Sequence, residues 1–261
     1  MKLHVEVEPG GRGPHLLLVH GFLSSRAQWR PNLAALRQYV RPVIVELWGH
    51  GRSPVPEDPA AYRVTSYIDA FEAIRRELGV DRWVVCGQSF GAGLTIRYAH
   101  SHPAHVVGQI FTNSVSALSA PGERESDAKR LLWADALERD GHSAIEALRF
   151  HPRFATRFAS EVKREMLEDA ALIQPAAIAN AIRYTTPQLS VVDCLGELTA
   201  PGLLVNGLWE RPFQPLRDRA ANLLPSLEIV DLEGGHSINV EAPAPFNDAV
   251  ARFAAKYTQA A

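Results

Sequence analysis

Residues 15–112 alternate between short, nearly continuous apolar runs and stretches with helical spacing. The runs are HLLLV (15–19), PVIVEL (42–47), WVVC (83–86) and VVGQIF (106–111). Such runs leave no face for polar residues, which is how a strand reads when both sides of its sheet are covered. Between them, Trp29, Leu33 and Leu36 recur at helical spacing within 26–38. Ile68, Phe71, Ile74 and Leu78 form one stripe on a helix over 65–78, opened by Thr65. A third helix is expected over 89–101. This alternation predicts an α/β fold: a mainly parallel central sheet flanked by helices on both faces. KLHVEVE (2–8) alternates with period two and adds one leading strand.

The rhythm stops near residue 115. From there to about 198 the apolar positions suit helices, among them Trp133, Leu137, Ile145 and Phe158, and no strong strand run occurs. Strand signals resume at GLLVNG (202–207) and LEIVDL (227–232), separated by a helix near 213–224 and followed by one over 241–257. The expectation is a core domain, 1–114 and 199–261, interrupted by a helical insertion, 115–198. A chain of 261 residues with 46% hydrophobic residues can bury a core of that size.

The formal net charge is −2, from 27 basic and 29 acidic residues, so the chain lacks the basic footprint of a nucleic-acid binder. The longest apolar run falls far short of a membrane span, and MKLHVEVEPG does not read as a signal peptide. The expected setting is cytoplasmic, without nucleic-acid or membrane partners. Cys86 and Cys194 do not resemble a disulfide framework.

In a parallel sheet the ligand crevice lies beyond the carboxyl ends of the strands. Reactive groups follow four of those ends. His20-Gly21-Phe22 follows the first buried run. Ser89 follows the third, within RWVVCGQSFGAG (82–93), a stretch suited to a cramped strand-to-helix turn that exposes a hydroxyl. Glu210 lies three residues past GLLVNG, and His236 follows the last strand in LEGGHSINVEAP. A serine needs a base to take its proton, an imidazole does that near neutral pH, and a carboxylate orients the imidazole. The chain order Ser, acid, His is that of a nucleophile-elbow hydrolase. This makes Ser89 the nucleophile, His236 the base and Glu210 the acid. Backbone N–H groups of Phe22 and Phe90 are the expected oxyanion donors. His20 is read as a brace for its loop, not as a rival base.

The HGF loop (20–22), ELWGHGRS (46–53), GQSFGAG (87–93), NGLWE (206–210) and GGH (234–236) resemble the α/β-hydrolase fold family along essentially the whole chain. The resemblance implies the same roles for Ser89, Glu210, His236, Phe22 and Phe90, and a helical cap for 115–198. Glu210 departs from the Asp usual in that family. A Ser at the nucleophile position does not favour haloalkane dehalogenases or epoxide hydrolases, whose relatives carry Asp there. No cofactor is implied, and His50, His100, His102 and His105 are not spaced as a metal-ligand set.

The expected reaction is acyl transfer to water on a small carboxylic ester, lactone or related carbonyl compound. Leu23, Trp48, Trp133, Leu137, Phe158 and Trp209 are the candidate pocket residues. Two alternatives stand. HGFLSS followed by Trp29 is also similar to carbon–carbon bond hydrolases of ring-cleavage diketone acids and to the lyase-type synthases of menaquinone formation. A non-catalytic ligand-binding member of the fold is the other.

Overall fold

A computed structural model describes residues 1–123 and 126–258; positions 124–125 of the expected insertion and 259–261 of the expected core lie outside them. Among the described residues, seven strands form one sheet: β1 (His4–Val7), β2 (His15–Val19), β3 (Arg41–Glu46), β4 (Trp83–Gly87), β5 (Val106–Thr112), β6 (Gly202–Gly207) and β7 (Glu228–Leu232). Their order is β1-β3-β2-β4-β5-β6-β7. β1 pairs antiparallel with β3, and every other pairing is parallel.

The pleat explains the apolar runs. Leu17 and Val19 of β2 face one core cluster, and Leu16 and Leu18 face the other. Val85 and Val84 divide in the same way on β4. The helices α1 (Arg30–Leu36), α2 (Val64–Glu77) and α3 (Phe90–Ser101) follow β2, β3 and β4. α2 and α3 bring Tyr67, Phe71, Leu94 and Tyr98 to the first cluster, whereas Trp29 and Leu36 belong to the second. Each large apolar side chain buried in this way contributes about 1.5–3 kcal/mol. Leu78, expected on the buried stripe of α2, is instead its exposed C-cap, because the helix ends at Glu77.

Between β5 and β6 come α4 (Val115–Leu118), α5 (Asp127–Asp140), α6 (His142–Ala147), α7 (Ser160–Ala170) and α8 (Pro175–Asn180). Ala117 and Leu118 of α4 join the first cluster, while buried side chains of α5 to α8 and their connections form a third, containing Leu137, Ile145, Ile173 and Ile178. Leu23 belongs to that cluster, and Phe22 packs against it. The helical segment therefore rests on the loop that leaves β2. A polar tie reinforces the contact: the Ser25 hydroxyl donates to Asp169 of α7 at 2.7 Å. The chain closes with α9 (Gln214–Leu223), α10 (Ile238–Glu241) and α11 (Pro243–Thr258), the last covering the second cluster with Phe246, Val250 and Phe253. Cys86 and Cys194 are both buried free thiols. Among the described residues, no helix is long and apolar enough to cross a membrane.

Candidate active site

Ser89 is the second residue of the two-residue turn between β4 and α3, with φ 51° and ψ −110°. A non-glycine residue there stores roughly 1–3 kcal/mol of strain, which the surrounding packing must hold. The glycines around it meet that demand. A Cβ on Gly91 would lie 2.4 Å from the Val19 carbonyl oxygen, and one on Gly87 would lie 2.3 Å from that of Gly91. The helix can start directly over β2 because neither position carries a side chain. The Ser114 hydroxyl, at the end of β5, donates to the Ser89 carbonyl at 2.7 Å.

His236 reaches the turn from the loop after β7. Its Nε2 lies 2.9 Å from Ser89 Oγ. Its Nδ1 lies 2.9 and 3.0 Å from the two carboxylate oxygens of Glu210. A carboxylate can only accept, so Nδ1 carries the proton and the lone pair on Nε2 faces the serine hydroxyl. Glu210, in the loop after β6, is thus turned toward His236. Its second restraint comes from Asn113, whose Nδ2 donates to Glu210 Oε2 at 2.9 Å. The same amide clamps the end of β6, accepting from the Gly207 N–H at 2.9 Å and donating to the Gly207 carbonyl at 3.0 Å. Gln88 donates to the His236 carbonyl at 3.2 Å. Sequence reasoning missed the parts played by Asn113 and Gln88. Their signal was position alone: one ends β5 and the other precedes Ser89.

On the opposite side, the loop after β2 is internally braced. The Leu47 N–H donates to His20 Nε2 at 3.0 Å, which leaves Nδ1–H to donate to the Gly21 carbonyl at 2.7 Å. Burial pushes His20 down to about 3, with the neighbouring His50 adding to the effect, so the ring is neutral. His50 is likewise buried and held at about 4. The Gly21 N–H donates to Gln28 Oε1 at 3.1 Å. Phe22 sits at the tip of this loop, its ring 5.3 Å from that of Phe90, the first residue of α3. As the first residue of a helix, Phe90 has an N–H with no intrahelical acceptor.

The candidate pocket residues separate into three groups. Leu23 and Leu137 are buried against each other's neighbours in the third cluster, and Trp48 is buried in the first beside Tyr67. Phe158 is half-buried. Trp133 and Trp209 are 38% and 52% exposed. Trp133 faces a groove of about 440 Å³ lined by Lys129, Ala147, Leu148, Arg149 and Phe150, to which neither Ser89 nor His236 contributes. α5 turns Ala134 and Leu137 inward and leaves Trp133 on its flank. Trp209 donates its indole N–H to Glu233 at 2.5 Å and is covered by the Arg157 guanidinium, 5.5 Å from the ring centroid.

A family model described as alpha/beta hydrolase fold matches residues 14–162, more than half of the chain. The chain belongs to the α/β-hydrolase fold family. Among curated relatives of this α/β-hydrolase is a protein of Bacillus subtilis (strain 168) named "Putative 2-succinyl-6-hydroxy-2,4-cyclohexadiene-1-carboxylate synthase". It is 26% identical over 91% of this chain and 89% of its own length. A second, "Putative carbamate hydrolase RutD" of Variovorax paradoxus (strain S110), is 27% identical over 98% of this chain and 97% of its own. Among solved structures, MenH from S. aureus superposes with a TM-score of 0.82 at 18% identity, covering 97% of this chain and 98% of that one. At that identity the likeness concerns the fold.

Proposed function

We propose that this α/β-hydrolase is a serine hydrolase that cleaves a small carboxylic ester or lactone through an acyl-enzyme. The observation that carries the reading is the unbroken run of contacts from Glu210 through His236 to Ser89, each within hydrogen-bond distance, on the strained turn. In this mechanism Ser89 Oγ attacks the acyl carbon while its proton passes to His236 Nε2. Glu210 stabilises the imidazolium that forms. The tetrahedral oxyanion accepts hydrogen bonds from the N–H groups of Phe22 and Phe90. Its collapse breaks the bond to the leaving group, which takes the proton from Nε2. A water then gives its proton to Nε2 and attacks the acyl-serine, releasing the acid and restoring Ser89.

The helical segment 115–198 acts as the cap in this reading, seated on the Phe22–Leu23 loop through the third cluster. Phe22 and Phe90 give the entrance to Ser89 an apolar wall. These steps use only protein groups and water. The setting is cytoplasmic, and the substrate is a small molecule rather than a nucleic acid or a membrane.

A second reading has its own support. The full-length likeness to the Bacillus subtilis protein named as a carboxylate synthase favours a lyase or carbon–carbon hydrolase run by the same three side chains. The test is turnover of p-nitrophenyl esters, acetate through octanoate, by the wild type and Ser89→Ala in parallel. Saturable hydrolysis that disappears in the variant supports the serine esterase, and the best chain length sizes the pocket. A folded wild type that turns over none of the series overturns the ester reading in favour of the second.

A further inference from the structure

Glu241 is a buried carboxylate that the mechanism above leaves unused. It closes the short helix α10, five residues after His236, and its side chain is only 5% exposed. Its Oε2 accepts from the Gly235 N–H at 3.0 Å, and its Oε1 accepts from the Ser237 N–H at 3.2 Å. One carboxylate thus holds the amides on both sides of His236. The carbonyl of His236 itself is held by Gln88. Three consecutive residues of this loop are therefore pinned by side chains from outside it.

A buried carboxylate is costly unless it is paired. The counter-charge comes from the helical segment: Arg157 donates through Nε to Glu241 Oε2. Its guanidinium lies over the ring of Trp209, the neighbour of Glu210. A Cβ on Gly235 would sit 2.3 Å from Arg157 Nη2 and 3.0 Å from Glu241 Oε1. The second glycine of GGH thus leaves the space in which the ion pair closes over the loop.

We propose that Glu241 is a positioning residue for His236, and that Arg157 supplies its counter-charge from the helical segment. The inference rests on the reading of Ser89 as nucleophile and His236 as base. His236 must meet Glu210 and Ser89 at once, on opposite edges of one ring, and small displacements of the loop break one contact or the other. A misplacement near 1 Å can cost about 100-fold in rate. Glu241 touches neither substrate nor the reacting atoms, so its removal lowers kcat and leaves KM in place.

The variant that isolates this role is Glu241→Gln. It keeps the volume but offers one acceptor oxygen, and it turns an NH₂ toward an amide N–H or toward the guanidinium. The assay is the rate at which a fluorophosphonate probe modifies Ser89 in the full chain. That reaction needs the Ser–His pair but not the natural substrate; the Oγ–P bond forms as fluoride leaves. Wild type should label at Ser89, and Glu241→Gln should label about 10- to 100-fold more slowly. Ester turnover should show the same fall in kcat with KM within about twofold, a split that follows from the carboxylate's lack of substrate contact. Arg157→Met, a change at a largely exposed side chain, should slow labelling in the same direction while leaving the fold intact. Folded Glu241→Gln labelling within twofold of wild type overturns the role of Glu241, and Arg157→Met labelling at the wild-type rate overturns that of Arg157. A wild type that fails to label at all removes the nucleophile assignment itself, a separate failure.

Discussion

Replacing Glu210 by Asp removes one methylene from the side chain that meets His236. The backbone of the loop after β6 is held at both ends of the turn. The Trp209 N–H donates to the Gly234 carbonyl at 2.8 Å, and Gln214 donates to the Glu210 carbonyl at 3.1 Å. The loop therefore has little freedom to follow a shorter side chain. Withdrawing the carboxylate by one carbon–carbon bond, about 1.5 Å, opens its 2.9 Å contact with Nδ1 to roughly 4.4 Å, beyond hydrogen-bond range. The 2.9 Å bond from Asn113 is strained or lost with it. A hydrogen bond to a charged group is worth about 1.5–3 kcal/mol, so kcat should fall about 10- to 150-fold. KM should hold, because Glu210 acts on His236 and not on substrate. Steady-state hydrolysis of the best p-nitrophenyl ester, with circular dichroism to confirm folding, measures this. A Glu210→Asp enzyme as fast as wild type would refute the argument, since it would mean that the loop adapts freely or that another group orients His236.

Two further outcomes concern stability. Gly91→Ala places a Cβ 2.4 Å from the Val19 carbonyl, a backbone atom of β2 that cannot step aside. Overpacking of that kind costs about 1–3 kcal/mol, or roughly 2–4 °C in Tm for each kcal/mol in a chain this long; an unchanged thermal melt would contradict the contact. His20 and His50 are held neutral by burial at about 3 and about 4, below their ordinary value near 6.5. Between those values the unfolded chain binds protons that the folded one does not. Stability is therefore full above pH 6.5 and falls as pH drops toward 4, by about 1.4 kcal/mol per pH unit for each ring. Carboxylates begin to titrate lower, so thermal melts from pH 7 to 5 read the buried histidines, with His15 and His151, also lowered by burial, adding in the same direction. A flat Tm across that window would show that neither ring is buried neutral.

Much of this molecule was readable before any fold was known, because local chemistry and chain order carry it. The apolar runs at 15–19, 83–86 and 202–207 are strands covered on both faces, and their pleat divides successive residues between two cores. Ser89, Glu210 and His236 each follow a strand directly, so a parallel sheet alone sends all three to the same edge. The glycines around Ser89 suited a cramped strand-to-helix turn, but nothing in them showed that Gly91 meets the Val19 carbonyl there.

Local pattern and chain order thus specify the layered α/β architecture and the carboxyl end of the sheet where reactive groups gather. Which polar side chains hold those groups in place depends on packing between elements. Asn113, Gln88 and Glu241 carry no motif of their own; each acts across a gap between elements far apart in the chain or around a loop whose path is set by packing. The same holds for the apolar side chains of the helical segment, where spacing alone could not separate Leu137, buried against the Leu23 loop, from Trp133 on the flank of the same helix. A periodic pattern fixes which face of a helix is apolar, but the direction of that face relative to Ser89 depends on how α5 to α8 pack over one loop, and that is a property of the assembled molecule.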